Sequence, residues 1–150
     1  MLRVMALLLC AGAAASACRP GGRTEYVGGT LASLAGGKRG CLYTIDPASL
    51  VFSSRHATLR FPYSRVNLIE YGQKVDRRYL MGVLISPLLI LSKKRKHFLT
   101  VGYSDEQGRQ QAIVLRVDKS DIRAVLAGLE ARTGLRVQYQ DEEARKAGKG

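Results

Sequence analysis

The chain has 150 residues, 24 Lys+Arg against 12 Asp+Glu, and a formal charge of +12. Its 46% hydrophobic content supports one compact core and excludes global disorder, while its length excludes a two-domain enzyme of ordinary size. With 2 His and no Trp, chemistry that needs several imidazoles is excluded as well.

Residues 1–17 read as a signal peptide. Met1-Leu2-Arg3 is a short basic start, and Val4 to Ala17 is an uncharged run that ends in small residues. A spanning helix needs about 20 apolar residues, and this run is shorter. The expectation is export, to the periplasm or out of the cell. Removal of the leader takes only Arg3 from the charged residues and leaves a charge near +11. Ala15-Ser16-Ala17 fits an A-x-A cleavage site before Cys18. The same stretch through Cys18 is similar to a bacterial lipobox, with Ala15 where Leu is usual, which would make Cys18 a lipid-bearing residue anchored at the envelope. Two readings of the cysteines stay open. Cys18 pairs with Cys41 in an oxidising compartment, or Cys18 carries lipid and Cys41 is a small buried residue. No Cys/His spacing suggests a metal, and no motif suggests a cofactor.

Residues 18–25, with Pro20, Gly21 and Gly22, read as a linker. Short strand-like runs follow. Tyr26 to Ala35 is apolar but interrupted by Gly28 and Gly29, and Gly36 to Gly40 is a loop. Cys41 to Ile45 alternates, and Asp46-Pro47 marks a turn. Leu50–Ser54, Thr58–Tyr63 and Val66–Tyr71 read as strands, with Pro62 at an edge or kink. Leu99, Val101 and Tyr103 share one face at period two, as do Ile113, Leu115 and Val117, and 104–108 supplies the reversal of a hairpin. Ile122, Val125, Leu126 and Leu129 then form one helical stripe over about 119–133. Asp118 or Ser120 is the candidate cap, and Gly134 suits the left-handed position after the last turn. Residues 140–150 are charged, lack an apolar face and read as a disordered tail. The expected architecture is mainly β with one C-terminal helix: a small β-barrel or rolled antiparallel sheet capped by an amphipathic helix.

Three stretches carry a family resemblance: Gly40–Ile45 with Leu50–Phe52, then Phe61-Pro62-Tyr63-Ser64-Arg65-Val66, then Lys96–Tyr103 with the helix ending at Gly134. Over about residues 26–134 the chain resembles bacterial PH-like (GRAM-like) domains, within an exported bacterial family of unknown function. The resemblance implies a PH-like domain over 26–139, a seven-stranded bent barrel plugged at one end by a C-terminal helix. It also implies that basic residues in the first strand-to-strand loop, here Lys38 and Arg39, can contact a ligand. The chain departs from the pattern in having no Trp in that helix. The resemblance implies no enzyme.

Charge and grease supply the remaining candidates. Tyr79 to Leu91 is an uncharged run broken by Pro87, read either as buried core or as a greasy loop at lipid or a partner, and Lys93-Lys94-Arg95-Lys96 follows it. Arg77-Arg78 and Lys38-Arg39 are smaller basic pairs. These eight residues are the expected ligand or membrane contacts, since each cation near an anionic surface contributes about 1 kcal/mol. Nucleic acid is disfavoured, because most aromatics fall at inward strand positions and export removes the chain from the cytosol. No catalytic residue is expected: no nucleophile, metal or phosphate-loop motif occurs, nothing local activates the Cys41 thiol, His56 falls at a turn, and the cations beside His97 disfavour its charged form. Glu130 and Asp121 read as solvent-facing helix charges. The sequence therefore points to a non-catalytic, envelope-associated binding module that contacts anionic lipid or an acidic protein partner. The alternative is a structural or assembly protein that self-associates, as a homo-oligomer, through its sheet edge and the 79–91 run.

Overall fold

The structure is a computed structural model, and it describes residues 18, 21–31, 34–73 and 96–149. The expected signal peptide, the apolar run 79–91 and the basic residues Arg77, Arg78, Lys93, Lys94 and Arg95 lie outside the described residues.

Eight strands form one sheet. They are β1 (Gly22–Gly29), β2 (Lys38–Tyr43), β3 (Ser49–Ser54), β4 (Thr58–Pro62), β5 (Val66–Gly72), β6 (His97–Ser104), β7 (Gln110–Val117) and β8 (Gln138–Tyr139). The order is β4-β3-β2-β1-β7-β6-β5-β8. The first seven strands pair antiparallel, and β8 adds to β5 in parallel, so the sheet is mixed and open. The fold is mainly β, as expected, with helix α1 (Ile122–Thr133) after β7. It has a second helix, α2 (Glu142–Lys149), that the sequence reading missed.

Alternation explains the strands. On β6 and β7, Leu99 lies opposite Leu115 and Val101 opposite Ile113, the expected hairpin. Both rows are fully buried. They join Leu42, Leu50, Phe52, Phe61, Ile69 and Tyr71 in one cluster, which Ile122, Val125, Leu126 and Leu129 of α1 complete. A buried Leu or Ile contributes roughly 1.5–3 kcal/mol, so this cluster holds the roll and fixes each strand's facing. Pro62 ends β4, an edge strand, and a single 3-10 turn at Tyr63–Arg65 leads into β5.

Several boundaries differ from the sequence reading. The linker over 18–25 is shorter than expected, because β1 already begins at Gly22 and pairs Gly22 with Leu42. The glycines at 28 and 29 do not break β1; a register shift against β7 between Tyr26 and Gly28 absorbs them. Asp121 is the N-cap of α1 rather than Asp118 or Ser120. Its carboxylate accepts from the Arg23 backbone N–H at 2.8 Å, tying the helix start to β1. Gly134 ends α1 at φ 72°, as expected.

The tail over 140–150 is not disordered across 142–149, where α2 forms. Asp141 Oδ1 accepts from the Ala144 N–H at 2.7 Å, and Glu142 and Glu143 occupy the first turn. Its buried residues are Ala144 and Gly148, four apart and small. A Cβ at Gly148 would lie 2.6 Å from Tyr139, so the face is defined by closeness rather than by bulk. A search for large apolar residues passes over such a face.

Candidate functional site

The outward face of β1, β2, β3 and β7 forms an open groove of about 730 Å³. Four arginines line it, Arg23, Arg39, Arg55 and Arg116, against two carboxylates, Glu25 and Asp118. The sheet register builds it. Glu25 lies directly opposite Arg39 on β2 and directly opposite Arg116 on β7, which makes a three-strand cross-row. Arg116 donates to Glu25 Oε2, and Arg39 Nε lies 3.7 Å from the same oxygen. The Glu25 side chain is only 11% exposed, whereas that of Arg39 is 86% exposed. One buried carboxylate therefore holds two guanidinium groups side by side. Arg23 Nε pairs with Asp118 Oδ2 at 3.1 Å. Arg55, at the end of β3, is exposed and forms no ion pair among the described residues.

The floor of the groove includes a disulfide, Cys18–Cys41, with Cα atoms 5.3 Å apart. This is one of the two pairings the sequence left open. It occupies the Cys18 sulfur, the atom that lipidation would use, so the two states exclude each other. It also removes Cys41 from consideration as a nucleophile.

Of the sequence candidates, the groove takes Arg39 and not Lys38. Both belong to β2 rather than to a loop. Successive strand residues face opposite ways, and Lys38 lies opposite core-facing Tyr26. Lys96, half-buried before β6, is not among the groove residues. Arg23, Arg55 and Arg116 were not singled out from sequence. The signal for Arg116 was present: it lies between Leu115 and Val117, off the period-two apolar row, and such positions define the second face of a sheet.

Glu130 and His97, among the other ionisable candidates, have structural partners. Glu130 is exposed, as expected, and its Oε1 also accepts from the Val137 N–H at 2.8 Å, which folds the chain back after α1. His56 is exposed in the β3–β4 turn, where its backbone N–H donates to Ser54 Oγ. His97 opens β6, and its Nδ1 is hydrogen-bonded to the Tyr71 hydroxyl. Burial, and secondly Lys119, lower the His97 pKa below 6.5. Among the described residues, no group of three or more His, Cys, Asp or Glu is placed to hold a metal ion.

The groove can attract an anion and pair with it through guanidinium forks that are already aligned. No protein-family model matches the chain, and a search of curated proteins finds no match.

Proposed function

We propose that this chain is an exported, non-catalytic binding module of the cell envelope with a PH-like frame. Its arginine groove contacts an anionic lipid surface or an acidic protein partner. The observation that carries this reading is the set of four arginines lining one groove against two carboxylates. The net charge of +12 adds long-range attraction for the same ligands. The Cys18–Cys41 pairing agrees with an oxidising compartment, and so with the leader read at residues 1–17. Support for the PH-like frame comes from seven antiparallel strands in the order 4-3-2-1-7-6-5, followed by a helix whose stripe joins the same core. Assembly through a sheet edge finds less support. Edge strand β4 is short, ends in Pro62 and carries exposed Arg60, and β8 covers the edge of β5.

Co-sedimentation with mixed phosphatidylglycerol–phosphatidylcholine vesicles tests the reading, with phosphatidylcholine vesicles and polyglutamate as the other arms. Binding to the anionic vesicles should weaken as salt rises. The Arg39→Gln/Arg55→Gln variant should lose about tenfold or more in affinity. Binding to polyglutamate alone would assign an acidic protein partner. Binding to neither, or binding unchanged in the variant, overturns the proposal.

A further inference from the structure

A second concavity, about 1200 Å³, shares no residue with the arginine groove. Its lining includes His97, Lys119, Ser120, Arg123, Glu143 and Lys146. Separate elements converge there: the start of β6, the turn into α1, the first turn of α1 and the length of α2. Arg123 Nε donates to the Ala147 carbonyl at 3.5 Å, which fixes the first turn of α1 against the last turn of α2. Among the described residues, Lys119 and Lys146 form no ion pair, and Glu143 is the one carboxylate in the lining.

His97 gives this cleft direction as well as charge. Its ring lies within 8° of parallel to Tyr71, with centroids 5.9 Å apart, and its Nδ1 meets the Tyr71 hydroxyl. Tyr71 is fully buried. A phenol is the better acid and an imidazole nitrogen the better base, so we assign the hydroxyl as donor to Nδ1. The ring proton of a neutral His97 then resides on Nε2. A core tyrosine thus locks the tautomer of a residue on the cleft wall, as an outer partner orients a ligand-binding histidine. Three cations and one oriented neutral N–H are all donors, suited to an oxyanion, while the Ser120 hydroxyl is already committed to Asp121 Oδ1 at 3.0 Å.

We propose that this cleft binds a phosphoryl group, with Lys119, Arg123 and Lys146 neutralising its charge and His97 Nε2–H supplying a directional hydrogen bond. The site uses none of the groove arginines, so it stands or falls separately from the reading above.

The test is a titration of the full chain with inorganic phosphate at neutral pH, read by long-range 1H–15N spectra of the His97 ring. Sodium chloride at matched ionic strength is the control. The proposal expects a saturable shift at Nε2 with phosphate and none with chloride. Lys119→Gln/Lys146→Gln should weaken phosphate binding by about tenfold or more, whereas Arg60→Gln, at an exposed cation outside both concavities, should leave it unchanged. Tyr71→Phe should redistribute the ring proton between the nitrogens and weaken binding with both lysines in place. If that variant fails to fold, the lysine pair alone carries the test. Equal shifts in phosphate and chloride, or phosphate affinity unchanged in the lysine variant, overturn the proposal. Phosphatidylglycerol vesicles that displace phosphate would identify a lipid headgroup as the source of the phosphoryl group. Vesicles that do not displace it would identify a soluble phosphorylated compound.

Discussion

The two basic concavities differ in what their cations are doing. In the groove, Arg39 and Arg116 share Glu25, and Arg23 pairs with Asp118, so three of the four arginines are held by carboxylates. In the cleft, Lys119 and Lys146 are paired with nothing among the described residues, and Arg123 spends one donor on a backbone carbonyl. Part of the groove's charge is thus neutralised within the sheet itself. The cleft is bound together by helix packing and leaves its charge for a ligand. Substitutions of the paired groups in the groove should therefore cost stability as well as binding, whereas substitutions of the cleft lysines should cost binding alone.

The largest effect should come from the groove floor. Replacing Cys18 and Cys41 together by Ser removes a cross-link spanning 23 positions and should lower unfolding stability by about 3 kcal/mol in denaturant titrations. Glu25→Gln comes next. It leaves Arg116, with a side chain only 26% exposed, beside an uncharged partner, and should cost about 2 kcal/mol. Lys119→Gln should change stability by less than about 0.5 kcal/mol, the expectation for an exposed unpaired cation. A cost from Lys119→Gln equal to that of Glu25→Gln would erase the distinction.

The core supplies a control of opposite sign. The Tyr26 hydroxyl is buried without a hydrogen-bond partner among the described residues. Tyr26→Phe should therefore raise stability by about 1 kcal/mol, because the hydroxyl bears a desolvation cost that nothing offsets. Titration gives a further control. Burial pushes the phenols of Tyr26 and Tyr71 up to about 12, from 10.0. The unfolded chain then loses these protons first, so stability is full below pH 10 and declines as pH rises toward 12. His97 runs the other way. Its folded pKa lies below 6.5, so its contribution is present above that pH and is lost as pH falls through it. His97→Gln should flatten the acid limb of a stability–pH profile and leave the alkaline limb intact.

Much of the frame was legible because strand alternation and helical spacing are written in large apolar residues. Leu99, Val101, Ile113 and Leu115 could face only one way, and Ile122 to Leu129 could form only one stripe. The site was less legible for a geometric reason. The Arg39–Glu25–Arg116 row joins residues far apart in sequence, and only the register of β2, β1 and β7 brings them together. Lys38 and Arg39 read as a pair because they are adjacent, yet adjacency on a strand means opposite faces. Helix α2 escaped notice because Ala144 and Gly148 bury a face without bulk. The cleft depends on α2, so it escaped with it.

The central claim is that the arginine groove is the surface on which an anionic ligand docks. Guanidinium-selective NMR of the full chain, with phosphatidylglycerol-containing bicelles added, tests it most directly. The account predicts that the Nε resonances of Arg39, Arg55 and Arg116 shift together and return when salt is raised. Shifts confined to arginines outside the groove, with those three unmoved, would contradict it.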